Sequence, residues 1–228
     1  IVTLTPSGDA RGAEQVVLRF SEPMVRFGDA RAGAPAEVRC PATGEGRWLD
    51  ERTWTYDFAA PLPSGLRCEV QVATKLRALS GARLARPVRH AIDTGGPAVV
   101  RREPAAGSEA IDEEQAFALL LDGPVDPATI AAHARCEVDG VGEAVPLRVL
   151  DGAERVQALA ALRAERWRYA TFTKPDEPWR GPRAEVLERV VFVQCARRLP
   201  NERAVRLAWH AGIAAPGGPA RRDTQVLE

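Results

Sequence analysis

The sequence has little of the chemistry that most enzymes and metal proteins use. It has only three histidines, His90, His133 and His210, which are far apart and lie in neither an HExxH nor a Ser/His/Asp pattern. It has no CxxC pair, so a zinc finger or zinc ribbon is not expected. The phosphate-binding motifs GxGxxG and GxxxxGK(S/T) are also missing. We therefore predict a protein that is not an enzyme, with no catalytic residue, no cofactor and no metal ligand.

Net charge and long apolar runs are absent as well. The 31 Lys and Arg residues balance 31 Asp and Glu residues. No long-range field therefore attracts phosphate backbones, and we expect no nucleic-acid partner. No stretch approaches the roughly 18 to 20 uninterrupted apolar residues of a membrane helix, which predicts no transmembrane segment in this sequence. We expect a soluble chain whose export signal, if there is one, has been cleaved off or lies outside this sequence.

Turn-forming residues and alternating apolar residues indicate an all-β protein. Eighteen prolines and 19 glycines are spread along the chain without a period, which favours many short elements. Alternation of apolar and polar residues, with β-branched and aromatic side chains, predicts strands. The predicted strands are 14–20, 54–58, 67–72, 167–172, 190–195 and 204–209. The exception is 153–166, where the spacing of Val156, Leu159 and Leu162 predicts one amphipathic helix.

A weak internal repeat divides the chain into two domains. A shift of 101 residues places Val16, Leu18, Phe20, Pro23 and Met24 over Phe117, Leu119, Leu121, Pro124 and Val125. A repeat of about one hundred residues has the size of one immunoglobulin-like sandwich. Turn residues concentrate at 93–97, so we predict two tandem antiparallel β-sandwich domains, 1–96 and 97–228, with the helix inserted in the second.

The four cysteines are divided between the two predicted domains. Cys40 and Cys68 lie in the first, and Cys136 and Cys195 in the second. We predict the disulfides Cys40–Cys68 and Cys136–Cys195, which would fit an oxidising compartment such as a bacterial periplasm. Four buried free thiols are the alternative. The three-residue separation of Cys68 and Gln71 matches an internal thioester only poorly, because alternate faces of a strand would hold the two side chains apart.

Four motifs in the first half occur in a distinctive order. They are Ser21-Glu22-Pro23-Met24, Gly46-Arg47-Trp48, Trp54-x-Tyr56-x-Phe58 and Pro61-Leu62-Pro63-x-Gly65. Over about residues 15–95 this set resembles the N-terminal part of the large bacterial alpha-2-macroglobulins, and the second half agrees less distinctly. The resemblance implies macroglobulin-like β-sandwiches from an exported protein, commonly a lipoprotein facing the periplasm. Such proteins enclose proteases that cleave their bait region, and some act beside a peptidoglycan synthase.

The expected function is therefore that of non-catalytic scaffold domains in a protein that traps and inhibits endopeptidases. The expected partners are the remaining domains of the parent chain, the target proteases and a peptidoglycan synthase. The fragment lacks the family's lipid-bearing cysteine, a recognisable bait region and the thioester motif. The alternative is a tandem immunoglobulin-like binding module of an adhesin or cell-wall protein that recognises glycan or protein. Trp48 and Trp179 on one open face would favour that alternative.

Overall fold

The chain folds as an all-β protein in two compact units. The computed structural model describes residues 3–26, 28–29, 32–109, 111–164 and 184–228. It has 37% strand and 11% helix, and its sheets are antiparallel. The units are Ile1–Gly95 and Gly96–Glu228, divided one residue before the 96/97 boundary expected from the sequence. In the described part of the chain, no helix is long and apolar enough to cross a membrane.

Unit 1 is a sandwich of a four-stranded and a three-stranded sheet, with strand orders β1-β2-β5-β4 and β3-β6-β7. This is the strand order of a constant-type immunoglobulin domain, in which the first, second, fifth and fourth strands form one sheet. The strands are β1 (Thr3–Thr5), β2 (Gln15–Arg19), β3 (Ala36–Arg39), β4 (Gly44–Trp48), β5 (Thr53–Phe58), β6 (Arg67–Val72) and β7 (Arg89–Asp93).

Unit 2 repeats this order, and its described residues add three helices. Its strands are β8 (Val99–Glu103), β9 (Ala116–Leu121), β10 (Ala134–Val138), β11 (Val145–Val149), β12 (Val190–Cys195), β13 (Val205–Trp209) and β14 (Gln225–Leu227). Its helices are α1 (Pro127–His133), α2 (Gly152–Ala164) and α3 (Ala184–Glu188). The order β14-β13-β10-β11-β12-β9-β8 is continuous because β11 pairs with β10 through Val145 and Pro146, and with β12 through Leu147–Val149.

Alternation explains some of the strands that the sequence predicts, as in β2 and β6. Five of the six predicted strands fall in the described residues and are present as β2, β5, β6, β12 and β13. In β2, Val16 and Leu18 are fully buried and flank a half-buried Val17. The predicted strand 167–172 lies outside the described residues. Strand β2 thus forms where one face of a pleated ribbon is apolar.

Strands β9 and β12 depart from alternation because both of their faces are covered. Leu119 and Leu121 belong to the main core of unit 2, whereas Leu120 packs in a second cluster with Phe192 of β12 and Leu162 of α2. A strand buried on both sides reads as a continuous apolar run, as it does here. Helix α2 therefore covers the outer face of this sheet.

The predicted helix is present as α2, but Val156 does not lie on its apolar face as the sequence predicted. Val156 is 67% exposed, whereas Leu162 is 7% exposed. The helix packs through Arg155, Ala158, Leu159 and Leu162, whose spacing of three and four residues places them on one face. Val156 lies one residue further along the chain, about 100° around the axis from Arg155. The Arg155 guanidinium completes the contact, since it donates to the carbonyl oxygens of Val190 (2.7 Å) and Leu187 (3.0 Å).

Candidate interaction sites

Each unit contains one disulfide, and the pairs are those expected from the sequence. Cys40 follows β3 and is joined to Cys68 of β6, with Cα atoms 4.4 Å apart. Cys136 of β10 is joined to Cys195 of β12, with Cα atoms 5.9 Å apart. The alternative of four free thiols does not hold in the structure. The sulfur of Cys68 is bonded to Cys40, so it is not bonded to the Gln71 carbonyl.

The three histidines have separate structural contacts. His90 Nε2 is 2.7 Å from the Pro6 carbonyl oxygen in unit 1. In unit 2 the His133 ring packs against Gly212, where an added Cβ would lie 2.6 Å from the ring. His210 Nδ1 is 3.2 Å from the Thr224 hydroxyl. The fold brings His133 and His210 together through the main chain, because the His210 amide donates to the His133 carbonyl oxygen at 3.1 Å. No group of three or more potential metal ligands occurs among the described residues.

The densest carboxylate group, 112–114, lies at the surface before β9. Glu114 pairs with Arg198 at 2.8 Å, and both side chains are more than half exposed. The Glu113 carbonyl oxygen accepts a hydrogen bond from the Leu199 amide. The contact with Glu114 raises the pKa of the Arg198 guanidinium, as an exposed ion pair does. These contacts tie the connection after β12 to the connection before β9.

The aromatic motifs of the first half form part of the unit 1 core. Trp54 is 1% exposed, and the rings of Trp54, Tyr56 and Phe58 follow one another along the inner face of β5. Glycines of the neighbouring strand β4 leave room for them. A Cβ on Gly46 would lie 2.3 Å from the Trp54 ring, and one on Gly44 would lie 2.6 Å from the Tyr56 ring. The Gly-x-Gly of β4 is therefore explained by packing.

Trp48 also packs against other residues of unit 1. Its ring centroid lies 5.9 Å from that of Phe20, and its indole Nε1 donates to the Gly33 carbonyl oxygen at 3.1 Å. The residue is half-buried. Trp179, the other half of the expected stacking platform, lies outside the described residues. The contacts of Trp48 thus support a packing role for this aromatic.

Unit 2 contains a cleft that no motif of the sequence predicts. The cleft has a volume of about 430 Å³ and lies beside β8, the connection between β8 and β9, and strands β13 and β14. The larger apolar side chains of its lining are those of Ile111, Phe117, Val205, Leu207 and Leu227. Three of these, Phe117, Leu207 and Leu227, belong to the buried core of the unit. The cleft therefore reaches the main core of unit 2.

Charged side chains surround this cleft. Arg102, Arg203 and Arg206 lie on it with Glu109 and Glu228. Arg206 is already paired with Asp139 at 2.7 Å, and an Arg102 Nη2 donates to the Glu228 carbonyl oxygen. Burial lowers the pKa of the Arg102 guanidinium, while the negative charge of Glu228 opposes that shift. The cleft thus combines an apolar floor with a rim of positively and negatively charged side chains.

A signal for the cleft was present in the sequence but had no distinctive form. Val205 and Leu207 alternate with Arg206 in the predicted strand 204–209, which is the ordinary pattern of a half-buried ribbon. The cleft arises only when the β8–β9 connection and β14 are brought beside that strand. It is a product of topology that no short motif encodes.

The fold and the sites together define a class: an all-β chain of two immunoglobulin-type sandwich units, each with its own disulfide. No protein-family model matches this chain, and no curated protein matches it either.

Proposed function

We propose that residues 1–228 are two scaffold domains of an exported protein of the bacterial alpha-2-macroglobulin class, which traps attacking endopeptidases. In this proposal the units carry no catalytic group and serve as rigid wall segments. The observation that carries it is the repetition of one sandwich topology in tandem, each copy cross-linked internally. A chain of such units is the architecture that the sequence resemblance implies.

The placement of the motif residues supports the proposal. The motifs of the resemblance supply core contacts in unit 1: Phe58 and Leu62 are buried, and Gly46 makes room for Trp54. Residues of this kind stabilise a fold through the close packing of its core. The resemblance therefore concerns the construction of the sandwich, as expected of a scaffold element.

The disulfides support an oxidising compartment. Two disulfides with no free thiol are typical of exported proteins and are rare in the reducing cytosol. We place the parent protein in the periplasm, with a lipid anchor to a membrane. Its partners would be the proteases it encloses and the other domains of its own chain, with a peptidoglycan synthase as the neighbour implied by some family members.

The experiment compares two substrates of one trapped protease. The full-length parent is mixed with a broad-specificity endopeptidase, and cleavage of a large protein substrate is compared with that of a small peptide. The expected result is loss of cleavage of the protein substrate with retention of cleavage of the peptide, because an enclosed protease admits only small molecules.

The matched control is the 228-residue chain alone, which should inhibit neither reaction because two units cannot enclose a protease. Equal cleavage of both substrates with the full-length parent would contradict trapping. It would favour the tandem binding module that recognises glycan or protein.

A further inference from the structure

Strand β4 is an edge of its sheet, because the strand order β1-β2-β5-β4 ends with it. The ladder with β5 shows which main-chain groups that pairing uses. The Leu49 amide donates to the Thr53 carbonyl oxygen at 2.9 Å. The Ala59 amide donates to the Thr43 carbonyl oxygen, also at 2.9 Å. Hydrogen-bonded pairs recur at every second residue of an antiparallel ladder, so the odd-numbered residues of β4 bond to β5.

The even-numbered residues of β4 therefore present their amides and carbonyl oxygens to the outer side. These residues are Gly44, Gly46 and Trp48. Within the described part of the chain, no main-chain hydrogen bond reaches this outer side. Gly46, at the centre, is exposed, and it has no side chain that would keep another strand away. An exposed row of such main-chain groups is a template for a further strand.

Strand β3 is an edge of the other sheet, and it carries the same alternation of charge in Glu37 and Arg39. Its surroundings differ from those of β4. Pro35 precedes it, and Ale36 is buried at its start. The Arg39 guanidinium already binds both carboxylate oxygens of Glu37, each at 2.9 Å. The charges of β3 thus satisfy each other, and β3 is the less open of these two edges.

The charges of β4 are arranged for pairing with a second copy of the same strand. Glu45 and Arg47 lie on either side of Gly46, on the face opposite to that of Trp48. Arg47 contacts Asp57 of β5 at 2.8 Å, but 63% of its side chain is exposed. In an antiparallel pair related by a two-fold axis through Gly46, each Glu45 lies opposite Arg47 of the partner subunit. Opposite charges in such cross-strand positions stabilise a sheet.

We propose that β4 is a self-association edge, through which two copies of this chain join their four-stranded sheets into one. The two β4 strands run antiparallel about a two-fold axis at Gly46. The two Gly46 residues exchange a pair of main-chain hydrogen bonds. Gly44 faces Trp48 of the partner subunit and offers no side chain that would obstruct it. The same surface thus serves on both copies, as a two-fold interface requires.

Charge selects this register over its neighbours. Moving the axis to Glu45 would place the two Glu45 carboxylates opposite each other, and moving it to Arg47 would do the same to the two guanidinium groups. Like charges directly opposite each other destabilise a strand pair, whereas the axis at Gly46 pairs opposite charges. Because β4 has five residues, the pairing buries less surface than the roughly 1,200 Å² of stable interfaces. A weak, concentration-dependent dimer is therefore expected.

The test measures dissociation of the dimer of the 228-residue chain by sedimentation equilibrium across a range of protein concentrations. Glu45→Arg gives β4 two positive charges, and Arg47→Glu gives it two negative charges, so each variant repels its own copy. We expect each to raise the dimer Kd about tenfold or more, because both cross-strand pairs become like-charged. An equimolar mixture of the two variants should recover the association, because a doubly positive strand then faces a doubly negative one.

The double variant E45R/R47E provides a second rescue. It keeps opposite charges across the proposed interface, and it places a positive charge opposite Asp57, which Glu45 faces in the ladder. Its dimer Kd should be close to that of the unaltered chain. The matched controls are Glu37→Arg and Arg39→Glu on the edge β3, which should leave the Kd unchanged.

Hydrogen exchange gives a local readout of the same pairing. The Gly46 amide should exchange more slowly as the protein concentration rises, whereas the Glu45 amide, which faces β5, should not change. A chain that stays monomeric at every concentration would overturn the proposal. Failure of both rescues, or an equal loss of association in the β3 variants, would overturn it as well. No protease takes part in these measurements, so their failure would be distinct from failure of the proposed function.

Discussion

The two units share a strand order but place their disulfides differently. In unit 1 the bond joins β3 and β6, which are already hydrogen-bonded neighbours in one sheet. In unit 2 it joins β10 and β12, which lie on either side of β11 at the point where that strand pairs with both. The bond of unit 2 therefore ties together the two halves of a sandwich, whereas the bond of unit 1 reinforces one sheet.

This difference shows that a topology does not dictate where its cross-link lies. The sheets of unit 1 are held together by packing, with Trp54, Leu62 and Ile92 almost fully buried between them. In unit 2 a covalent bond adds to the packing of the corresponding layers. Reduction should therefore affect the two units unequally.

The largest expected effect is that of removing the disulfide of unit 2. Replacing Cys136 and Cys195 by alanine should lower the free energy of unfolding of that unit by about 4 kcal/mol, from loop-closure entropy. Replacing Cys40 and Cys68 should cost unit 1 about 3.6 kcal/mol on the same basis, because its bond closes a shorter loop. Urea denaturation of the two double variants measures both. A larger loss in unit 1 would contradict the comparison.

A smaller effect is expected from overpacking unit 1. Gly46→Ala places a methyl group 2.3 Å from the Trp54 ring, so the ring or β4 must move. We expect a loss of about 1–3 kcal/mol in the free energy of unfolding of unit 1. Gly33→Ala is the control, because a Cβ there meets nothing within 4 Å. Equal stability of the two variants would show that Gly46 is not required for packing.

Helix α1 offers a test specific to unit 2, since the residues of unit 1 that the structure describes form no helix. The Asp126 carboxylate accepts a hydrogen bond from the Ala128 amide at 3.0 Å, and Pro127 opens the helix. Asp126→Ala should destabilise unit 2 by about 1 kcal/mol, whereas Asp126→Asn should retain most of the stability, since asparagine also caps helices. Thermal unfolding of the three proteins would measure this. An Asn variant as unstable as the Ala variant would exclude capping as the cause.

The smallest expected effect on stability concerns the tight turn between β4 and β5. In unit 2 the corresponding strands β11 and β12 are joined by a longer connection that contains α2 and α3. The backbone amide of Arg52, with the amide of Thr53, holds the pKa of the Asp50 carboxyl below its ordinary value. A depressed carboxyl pKa contributes stability above the unfolded-state pKa, and this is lost as the pH falls through the folded-state pKa. An NMR titration of Asp50 should give a midpoint below about 3.9. A midpoint at or above that value would mean that the turn does not hold the carboxylate.

The sequence predicts the parts of this fold that depend on local pattern. Alternation identified β2, β5 and β6 because each has one apolar face, and the division of the cysteines led to the correct pairs. Helix α1 was missed although Asp126-Pro127 is an ordinary helix start, because seven residues are too few to show a helical period. Val156 was wrongly placed because three apolar residues do not fix which side of a helix meets the sheet.

The cleft could not be predicted, for a different reason. Its lining comes from β9, β13, β14 and the β8–β9 connection, which are brought together only by the strand order.

The measurement that tests the central claim most directly is peptide mapping of the unreduced protein. Trypsin cleaves after Lys and Arg, so the four cysteines fall in the separate peptides 40–47, 68–75, 136–148 and 190–197. The account of two separately closed sandwiches predicts that 40–47 is linked to 68–75 and that 136–148 is linked to 190–197. A linkage between a peptide of unit 1 and a peptide of unit 2, or four thiols that can be alkylated in the native protein, would contradict it.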